Sequence, residues 1–381
     1  MEINSGIHFA TNWRIWQMVG AVDLNRWNLR NFRFWVAAFC NAYSIAFSMT
    51  IIIGMFSFDN PLDNILNFTI VLTTVATVSK FFIFVKQLNR IRLIEQELAE
   101  LDSQIDTDDQ RKFFKQLSNE LFYVTRLIIG AYVVIAITVS TTFLLRDPSR
   151  CLLPFPGWFP LDLKASRRNY LTGVGFQLIG IVVQLLENCV DDLFPPLVLC
   201  IISGHCQMLI MRASRIGHHE QNQCANEQQL IKCIEDQEKL YKLLQLAMAV
   251  ISWPLMVQFI LIAVDSGASL CALLYYVDSM QERLYYISFI FGLSLQVLPV
   301  CYYGTEIEHH FSRLHYAVFC SNWPDQSYIY RRNALIFAER TQRVRQLLAG
   351  NLIPIALTTF VTNAKTAYSF CTLIADTNTT K

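Results

Sequence analysis

Seven long apolar segments alternate with charged or turn-forming segments along the chain. A helix that crosses a bilayer needs about 20 predominantly apolar residues, and each of the seven segments has roughly that length or more. The pattern therefore predicts an all-α membrane protein with seven transmembrane helices and no separate soluble domain. The predicted spans are residues 34–56, 65–85, 122–145, 170–202, 243–277, 284–303 and 352–375.

Three of the connections between these spans are long and charged, and they also have a helical period. In the segment 86–120, Leu88, Ile91 and Ile94 recur at helical spacing, which is typical of a helix that continues beyond the membrane. The fourth and fifth spans are also longer than a bilayer requires. We therefore expect several helices to project from the membrane on one side.

The seventh span differs from the others because one of its faces is polar. Thr358, Thr362, Lys365, Ser369 and Thr372 recur at i, i+4, i+7, i+11 and i+14, which places them along one side of a helix. A lysine inside the membrane costs about 2.5–3.5 kcal/mol on insertion scales. Two interpretations stay open for this stripe: it lines a water-filled path, or it packs against other helices through small polar groups.

The amino-acid composition also indicates a membrane protein, and it bears on whether the chain binds nucleic acid. Hydrophobic residues make up 53% of the chain and charged residues 16%, compared with ~25% charged residues in soluble domains. The net charge of +1 says nothing about nucleic acid, but the sequence contains no dense basic patch, so we expect no nucleic-acid partner. The 33 residues before the first span lack the layout of a signal peptide, so we expect them to be retained.

The distribution of basic residues predicts the orientation. Counting the connections on alternating sides assigns 21 Lys and Arg residues to the side of the N-terminus and 7 to the other side. The positive-inside rule then places the N-terminus in the cytoplasm and the C-terminus outside. This orientation is unlike that of a G-protein-coupled receptor.

Motifs for enzyme chemistry and for metal binding are weak in this sequence. Histidines and cysteines cluster three times without the spacing of a zinc site, and we interpret them as solvated cytoplasmic faces. Three carboxylates of the fourth span fit an acid/base set or an ion site, but the favoured interpretation is a helix interface or an aqueous fringe. No nucleotide-binding, zinc-protease or serine-hydrolase motif is present. We expect no enzyme activity, no cofactor and no metal. The clusters are His205 with Cys206, then His218, His219 and Cys224, then His309, His310 and His315, and the carboxylates are Glu187, Asp191 and Asp192.

The C-terminal third carries a recognisable series of residues. It begins with the Cys-Tyr-Tyr-Gly-Thr-Glu run at 301–306 and ends with the Ala-Tyr-Ser-Phe-Cys-Thr-Leu run at 367–373. This series resembles the C-terminal signature of insect odorant receptors. Weaker likeness extends over the whole chain, and Gln237 departs from the family pattern, where many members have histidine. Between the two runs lie Trp323, Arg331, Arg332, Gly350 and Phe360; Lys80, Phe81 and the Asp-Asp-Leu-Phe run at 191–194 carry the weaker likeness.

The resemblance implies a function and a division of the chain. Members of this family are odorant-gated, non-selective cation channel subunits that assemble with a shared co-receptor around a four-fold pore. They lie in the plasma membrane of olfactory sensory neurons, in contact with lipid, and they bind a small volatile odorant. On this template we expect a cytoplasmic N-terminus (1–33), a ligand-binding bundle of six helices (34–303), a cytoplasmic anchor segment (304–349) and a pore-lining seventh helix with a short extracellular tail (350–381).

The resemblance also implies two sets of functional residues. The odorant pocket of the family lies within the membrane among spans two to six, toward the outer side, and the seventh helix lines the pore. The pore-lining residues would be those of the polar stripe, in which a fixed charge at Lys365 is awkward for a cation pore. The expected ligand-binding residues are Thr77, Phe81, Tyr132, Ile135, Val139, Phe176, Gly180, Tyr286, Phe289 and Ile290.

Three other classes of protein remain as alternatives. A gustatory-type receptor channel shares the fold, but the Ala-Tyr-Ser run at 367–369 favours the odorant branch. A G-protein-coupled receptor would need the opposite orientation, and its Asn-Pro-x-x-Tyr motif is absent. A transporter or a membrane enzyme would require inverted repeats or a catalytic constellation, and neither is visible.

Overall fold

The computed structural model describes residues 3–21, 32–56, 61–144, 153–155, 157–218, 222–275, 277, 280–342 and 346–379. Several features named in the sequence analysis therefore lie partly outside the described residues, including the predicted N-terminal segment at 22–31, the predicted anchor segment at 343–345, and His219.

The described chain is helical almost throughout, as the sequence predicted. A short 3-10 helix, Ser5–Phe9, leads into the first α-helix, and one small hairpin precedes the last helix. The α-helices are α1 (Ala10–Val19), α2 (Phe32–Met55), α3 (Pro61–Asp102), α4 (Asp108–Leu144), α5 (Arg167–Arg215), α6 (Gln223–Tyr275), α7 (Met280–Phe319), α8 (Tyr328–Thr341) and α9 (Leu357–Thr379), and the strands are β1 (Leu348–Ala349) and β2 (Ile353–Pro354).

Six of these helices, α2 to α7, are long and apolar enough to cross a membrane. The seventh, α9, has 23 residues and spans ~34 Å at 1.5 Å per residue, but its polar face lowers its hydropathy. Charged segments of α3, α5, α6 and α7 continue the apolar segments without a break, as the helical periodicity of the connections predicted. The chain is therefore a multi-pass membrane protein.

The central helix of the bundle is α5. It contacts α1, α2, α3, α4, α6 and α7, and the side chains of its apolar segment are almost all buried. Ser166 caps its N-terminus by accepting a hydrogen bond from the backbone of Arg168 at 3.2 Å. Pro195 and Pro196 lie inside the continuous helix, although each removes one backbone hydrogen bond. Packing on all sides therefore maintains a helix that the local sequence alone would weaken.

The N-terminal segment packs against the bundle. Trp16 of α1 is fully buried and packs against Phe194 and Phe84 with tilted rings, whose centroids lie 5.7 and 6.0 Å from its own. These contacts of Trp16 anchor the first helix to α3 and α5. In the 3-10 helix before it, burial lowers the pKa of the His8 imidazole, and the carboxylate of Asp102 opposes that shift.

One interpretation from the sequence is wrong. His205 and Cys206 do not lie on a solvated face, because both are buried. The ring of His205 lies 3.2 Å from Asp102 and 3.3 Å from the hydroxyl of Ser5. These contacts join α5 to the end of α3 and to the N-terminal segment, so the polar residues serve packing between helices.

A hairpin, and not a helix, begins the C-terminal segment. The sequence predicted a helix from residue 352, but β1 pairs antiparallel with β2 and α9 starts at Leu357. Gly350 and Asn351 have φ of 58° and 59°, which the central positions of a type I′ turn require and which glycine and asparagine tolerate. The backbone N–H of Gly350 donates to the hydroxyl of Ser252 at 2.9 Å, which fastens the hairpin to α6.

Candidate ligand cavity and C-terminal helix

A mostly apolar cavity lies within the membrane-spanning part of the bundle. It has a volume of about 100 Å³, which exceeds the ~10–15 Å³ that one water needs and is smaller than the ~300–1,000 Å³ of drug-sized pockets. It can therefore hold only a small molecule. Its walls come from α2, α3, α4, α5, α7 and one loop residue: Phe47, Ile70, Thr73, Thr74, Thr77, Ile135, Val139, Phe155, Ile181, Gln184, Leu185, Asn188, Tyr285 and Phe289.

A folded loop between α4 and α5 contributes Phe155 to this wall. The side-chain amide of Gln177 holds the loop by exchanging two hydrogen bonds with the backbone of Phe155, at 2.8 and 2.9 Å. The backbone N–H of Trp158 donates to the carbonyl of Thr50 on α2 at 2.8 Å. The loop is thus fastened to both helices beside the cavity.

Four of the ten predicted ligand-binding residues line the cavity: Thr77, Ile135, Val139 and Phe289. Three others lie in helix contacts. Phe81 is part of the hydrophobic core, Phe176 stacks on Tyr43 with ring centroids 5.0 Å apart, and a Cβ at Gly180 would lie 2.4 Å from the ring of Phe47.

The remaining three predicted residues are Tyr132, Tyr286 and Ile290. Tyr132 is buried and donates a hydrogen bond to Asp192. Tyr286 neighbours Tyr285, with ring centroids 5.2 Å apart, and it is Tyr285 that lines the cavity. Ile290 lines a separate cavity of about 170 Å³ between α6, α7 and α9. Sequence reasoning also missed the polar lining residues Gln184 and Asn188.

A buried network of charged and polar side chains adjoins the cavity. The ammonium of Lys80 lies 2.7 Å from the carboxylate of Asp192, and the two residues are 4% and 2% exposed. A buried charge is tolerated only when it is paired and hydrogen-bonded, and this network satisfies both charges. We call it the Lys80 network, and its members are Lys80, Tyr132, Asn188, Asp192, Gln258 and Gln296.

The Lys80 network connects five helices. Lys80 of α3 donates to Asn188 of α5 at 2.7 Å and to Gln258 of α6 at 3.0 Å. Tyr132 of α4 donates to Asp192, and Gln296 of α7 donates to the hydroxyl of Tyr132 at 2.9 Å. Because Asn188 belongs both to this network and to the cavity wall, the two features share a boundary.

The other carboxylates of the fourth span lie at helix interfaces. Glu187 accepts a hydrogen bond from Ser44 of α2 at 2.7 Å, and Asp191 accepts one from the indole of Trp16 at 3.4 Å. Each carboxylate therefore binds a different element, and they do not converge on one point. Among the described residues, no three His, Cys, Asp or Glu side chains are grouped as a metal site would require.

The polar stripe of α9 faces away from the rest of the bundle. Thr358, Thr362, Lys365 and Ser369 are exposed on the surface of the chain, and Thr372 is half-buried. The opposite face packs on α6 and α7 through residues such as Ala367 and Cys371, which are buried. Packing against helices of the same chain is therefore excluded for the exposed part of the stripe.

Comparison with known proteins identifies the family. A sequence model described as "7tm Odorant receptor" matches residues 60–368, which is well over half of the chain. The chain belongs to the seven-transmembrane odorant receptor family. This family consists of receptors and not of enzymes. The match also confirms the resemblance seen in the C-terminal signature.

Individual members of the odorant receptor family are similar over nearly the whole chain. Odorant receptor 23a of Drosophila melanogaster is 38% identical over 97% of this chain and 96% of its own length. Odorant receptor 33a of the same species is 31% identical over 98% and 97% of the two chains. The chain thus corresponds to nearly the full length of these receptors.

Solved structures show the same fold. The olfactory receptor OR5 of Machilis hrabei superimposes with a TM-score of 0.83 at 12% identity, over 97% of this chain and 99% of OR5. The structure of OR5 in complex with eugenol superimposes with a TM-score of 0.84 at 13% identity, over 97% and 98% of the two chains. The likeness confirms the all-α fold that the sequence predicted.

Proposed function

We propose that this chain is the ligand-binding subunit of an odorant-gated, non-selective cation channel that works with a shared co-receptor. The observation that supports this proposal best is the small apolar cavity within the membrane-spanning helices of a chain from the odorant receptor family. Its size suits a volatile molecule, and its walls come from five helices whose relative positions a ligand can bias. The eugenol-bound structure of OR5 supports a small-molecule ligand.

The ligand opens the pore only if it binds the open state more tightly than the closed state. Moving the population from 1:99 to 99:1 requires about 5.5 kcal/mol of such preference. The Lys80 network adjoins the cavity and joins α3 to α7. In this proposal it transmits a change in the cavity to the helices that hold α9.

The pore of the proposed channel is lined by the polar stripe of α9. The stripe is exposed on the single chain, as expected for a helix face that contacts water or neighbouring subunits in the assembled channel. We further propose that the N-terminus is cytoplasmic, the C-terminus is extracellular, and the complex lies in the plasma membrane of olfactory sensory neurons. The division into an N-terminal segment, six-helix bundle, anchor and pore segment is part of the same proposal.

Whole-cell current separates these proposals from other receptor mechanisms. Cells would express this chain with or without an insect co-receptor, with G-protein signalling blocked, while an odorant panel is applied. A cation current that requires both chains and survives the block supports the channel proposal. A complex that reaches the cell surface by labelling, binds an odorant and passes no current contradicts it.

Shortening Phe289 should change odorant potency more than shortening its neighbour Tyr286. Phe289 lines the cavity, so Phe289→Ala removes ring contacts with the ligand and enlarges the site. Tyr286, which lies outside the lining residues, provides the matched control on the same helix. We expect the EC50 of the best odorant to rise at least tenfold for Phe289→Ala and less than threefold for Tyr286→Ala. Equal shifts for both variants at matched surface expression would contradict the placement of the ligand in this cavity.

Neutralising Lys365 should increase cation conductance. A fixed positive charge in a pore raises the barrier for cations, and Lys365 lies in the exposed stripe. We expect Lys365→Gln to raise single-channel conductance for sodium and potassium at physiological salt. Lys239→Gln, which removes a half-buried lysine of α6 that is paired with Glu100, serves as the control and should leave conductance unchanged. An unaltered conductance for Lys365→Gln would show that this position does not face the ion path.

A further inference from the structure

Two amide side chains of α5 present unused hydrogen-bonding groups to the cavity. Gln184 and Asn188 lie one helical turn apart and both line the cavity wall. They are 7% and 9% exposed, so only a small part of each side chain stays accessible at the cavity wall. A buried amide group without a hydrogen-bond partner is unfavourable. The orientation of each amide therefore indicates whether a ligand should accept or donate a hydrogen bond there.

The orientation of the Asn188 amide follows from its partner. The ammonium of Lys80, 2.7 Å from Asn188 Oδ1, can only donate hydrogen bonds. It therefore binds the carbonyl end of the amide, and the NH₂ group points away from Lys80. Lys80 is the only hydrogen-bond partner of the Asn188 side chain among the described residues, and Asn188 Nδ2 is not one of the fully buried unpaired atoms, so it keeps some accessible surface. The cavity wall thus contains a free donor.

The orientation of Gln184 follows in the same way. The hydroxyl of Ser48 donates to the carbonyl of Ser44 at 3.0 Å, so its oxygen is left to accept from Gln184 Nε2 at 2.8 Å. This fixes the NH₂ end of the amide toward α2. Ser48 is the only hydrogen-bond partner of the Gln184 side chain among the described residues, which leaves Gln184 Oε1 as an unpaired acceptor one helical turn from Asn188.

Neighbouring threonine hydroxyls on the cavity wall already use their donor protons within the bundle. Thr74 donates to the carbonyl of Val71 at 2.9 Å, and Thr77 donates to the carbonyl of Thr73 at 2.8 Å. Most of the remaining wall is aliphatic or aromatic. The cavity therefore combines an apolar body with one amide donor and one amide acceptor, both contributed by α5.

We propose that the cavity selects small molecules that carry one oxygen function, and that Asn188 is the specificity-determining donor to that oxygen. A hydroxyl group can also donate to Gln184, so aliphatic alcohols bind more tightly than ketones of the same chain length. A hydrocarbon leaves both amides unpaired and binds most weakly. This inference rests on the proposed function, since it takes this cavity to be the odorant site.

The test compares straight-chain alcohols, methyl ketones and alkanes of four to ten carbons on the receptor and co-receptor complex. We expect oxygenated compounds to be about 10–100-fold more potent than the alkane of equal length, from one or two unpaired buried groups. Asn188→Asp keeps an oxygen toward Lys80 and removes the NH₂ donor, so it should abolish the preference for ketones over alkanes. Gln184→Met should abolish only the preference for alcohols over ketones. Thr125→Val, a change in α4 outside the cavity wall, should leave the ranking intact.

Ligand-induced shifts in the Tm of the purified complex give the same ranking without requiring the channel to open. They distinguish failure of this inference from failure of the channel proposal: ligand stabilisation without current contradicts the channel alone. Alkanes as effective as alcohols on the unmodified complex would overturn the inference, whether or not the variants fold. An equal loss for all three compound classes in Asn188→Asp would also overturn it, because Asn188 would then serve only to hold Lys80.

Discussion

Replacing Lys80 with methionine should lower the stability of the folded chain by about 3–5 kcal/mol, because the buried carboxylate of Asp192 loses its counter-charge. The effect should appear as a large drop in the Tm of the detergent-solubilised protein and as loss of the chain from the cell surface. Fluorescence-detected size exclusion after heating measures the first quantity, and surface labelling measures the second.

A second variant and a surface control separate charge from packing. The double change Lys80→Met with Asp192→Asn removes both charges and should recover most of the lost Tm. Lys242→Met breaks a pair between the exposed Lys242 and the half-buried Glu97, and it should leave the Tm nearly unchanged because surface ion pairs contribute little to stability. If the double variant is as unstable as the single one, the uncompensated charge is not the cause.

Gly304→Ala should displace the start of α9 and abolish ligand-evoked current. A Cβ at Gly304 would lie 2.0 Å from the carbonyl oxygen of Ile355, and this backbone atom cannot rotate away as a side chain would. The neighbouring Thr305 accepts a hydrogen bond from the backbone of Leu357 at 3.0 Å and thereby fixes the first turn of α9. Forced overpacking costs about 1–3 kcal/mol, and the added atom pushes α7 and the hairpin apart. Current and Tm are measured on the same preparation.

Two other helical glycines provide matched controls. A Cβ at Gly130 in α4 or at Gly175 in α5 would meet nothing within 4 Å. Alanine there should preserve current and stabilise the helix by roughly 0.5–1 kcal/mol, since glycine is the poorer helix former. A Gly304→Ala variant that behaves like these two would show that the contact between α7 and the hairpin can relax at little cost.

The membrane spans were predictable because a long apolar segment can adopt few secondary structures in a membrane. Backbone groups in lipid must be paired internally, so such segments form helices. The hairpin before α9 was not predictable in this way. Its strands have two residues each, which is too short for an alternating pattern. The hairpin is held by hydrogen bonds from Gly350 to Ser252 and from Ile355 to Leu347, and the sequence does not reveal these contacts.

The cavity was only partly predictable because helix rotation is invisible in a uniformly apolar stretch. Tyr285 and Tyr286 differ by about 100° around α7. No pattern of polar residues beside them shows which of the two faces the interior of the bundle. The fourth span did contain such a phase. Gln184, Glu187, Asn188 and Asp191 recur at i, i+3, i+4 and i+7, which is one helical face. Read as a polar face, this spacing would have indicated the amides that line the cavity.

The Lys80 network also constrains how related sequences can diverge. Loss of either charge alone leaves the other buried and unpaired, whereas loss of both can be nearly neutral when well-packed apolar residues replace them. Mutational paths between these two states must therefore pass through an unfavourable intermediate. Across homologues we expect positions 80 and 192 to be inherited as a pair, either both charged or both uncharged. A mixed combination would be accompanied by a new charge at one of the three other helices of the network.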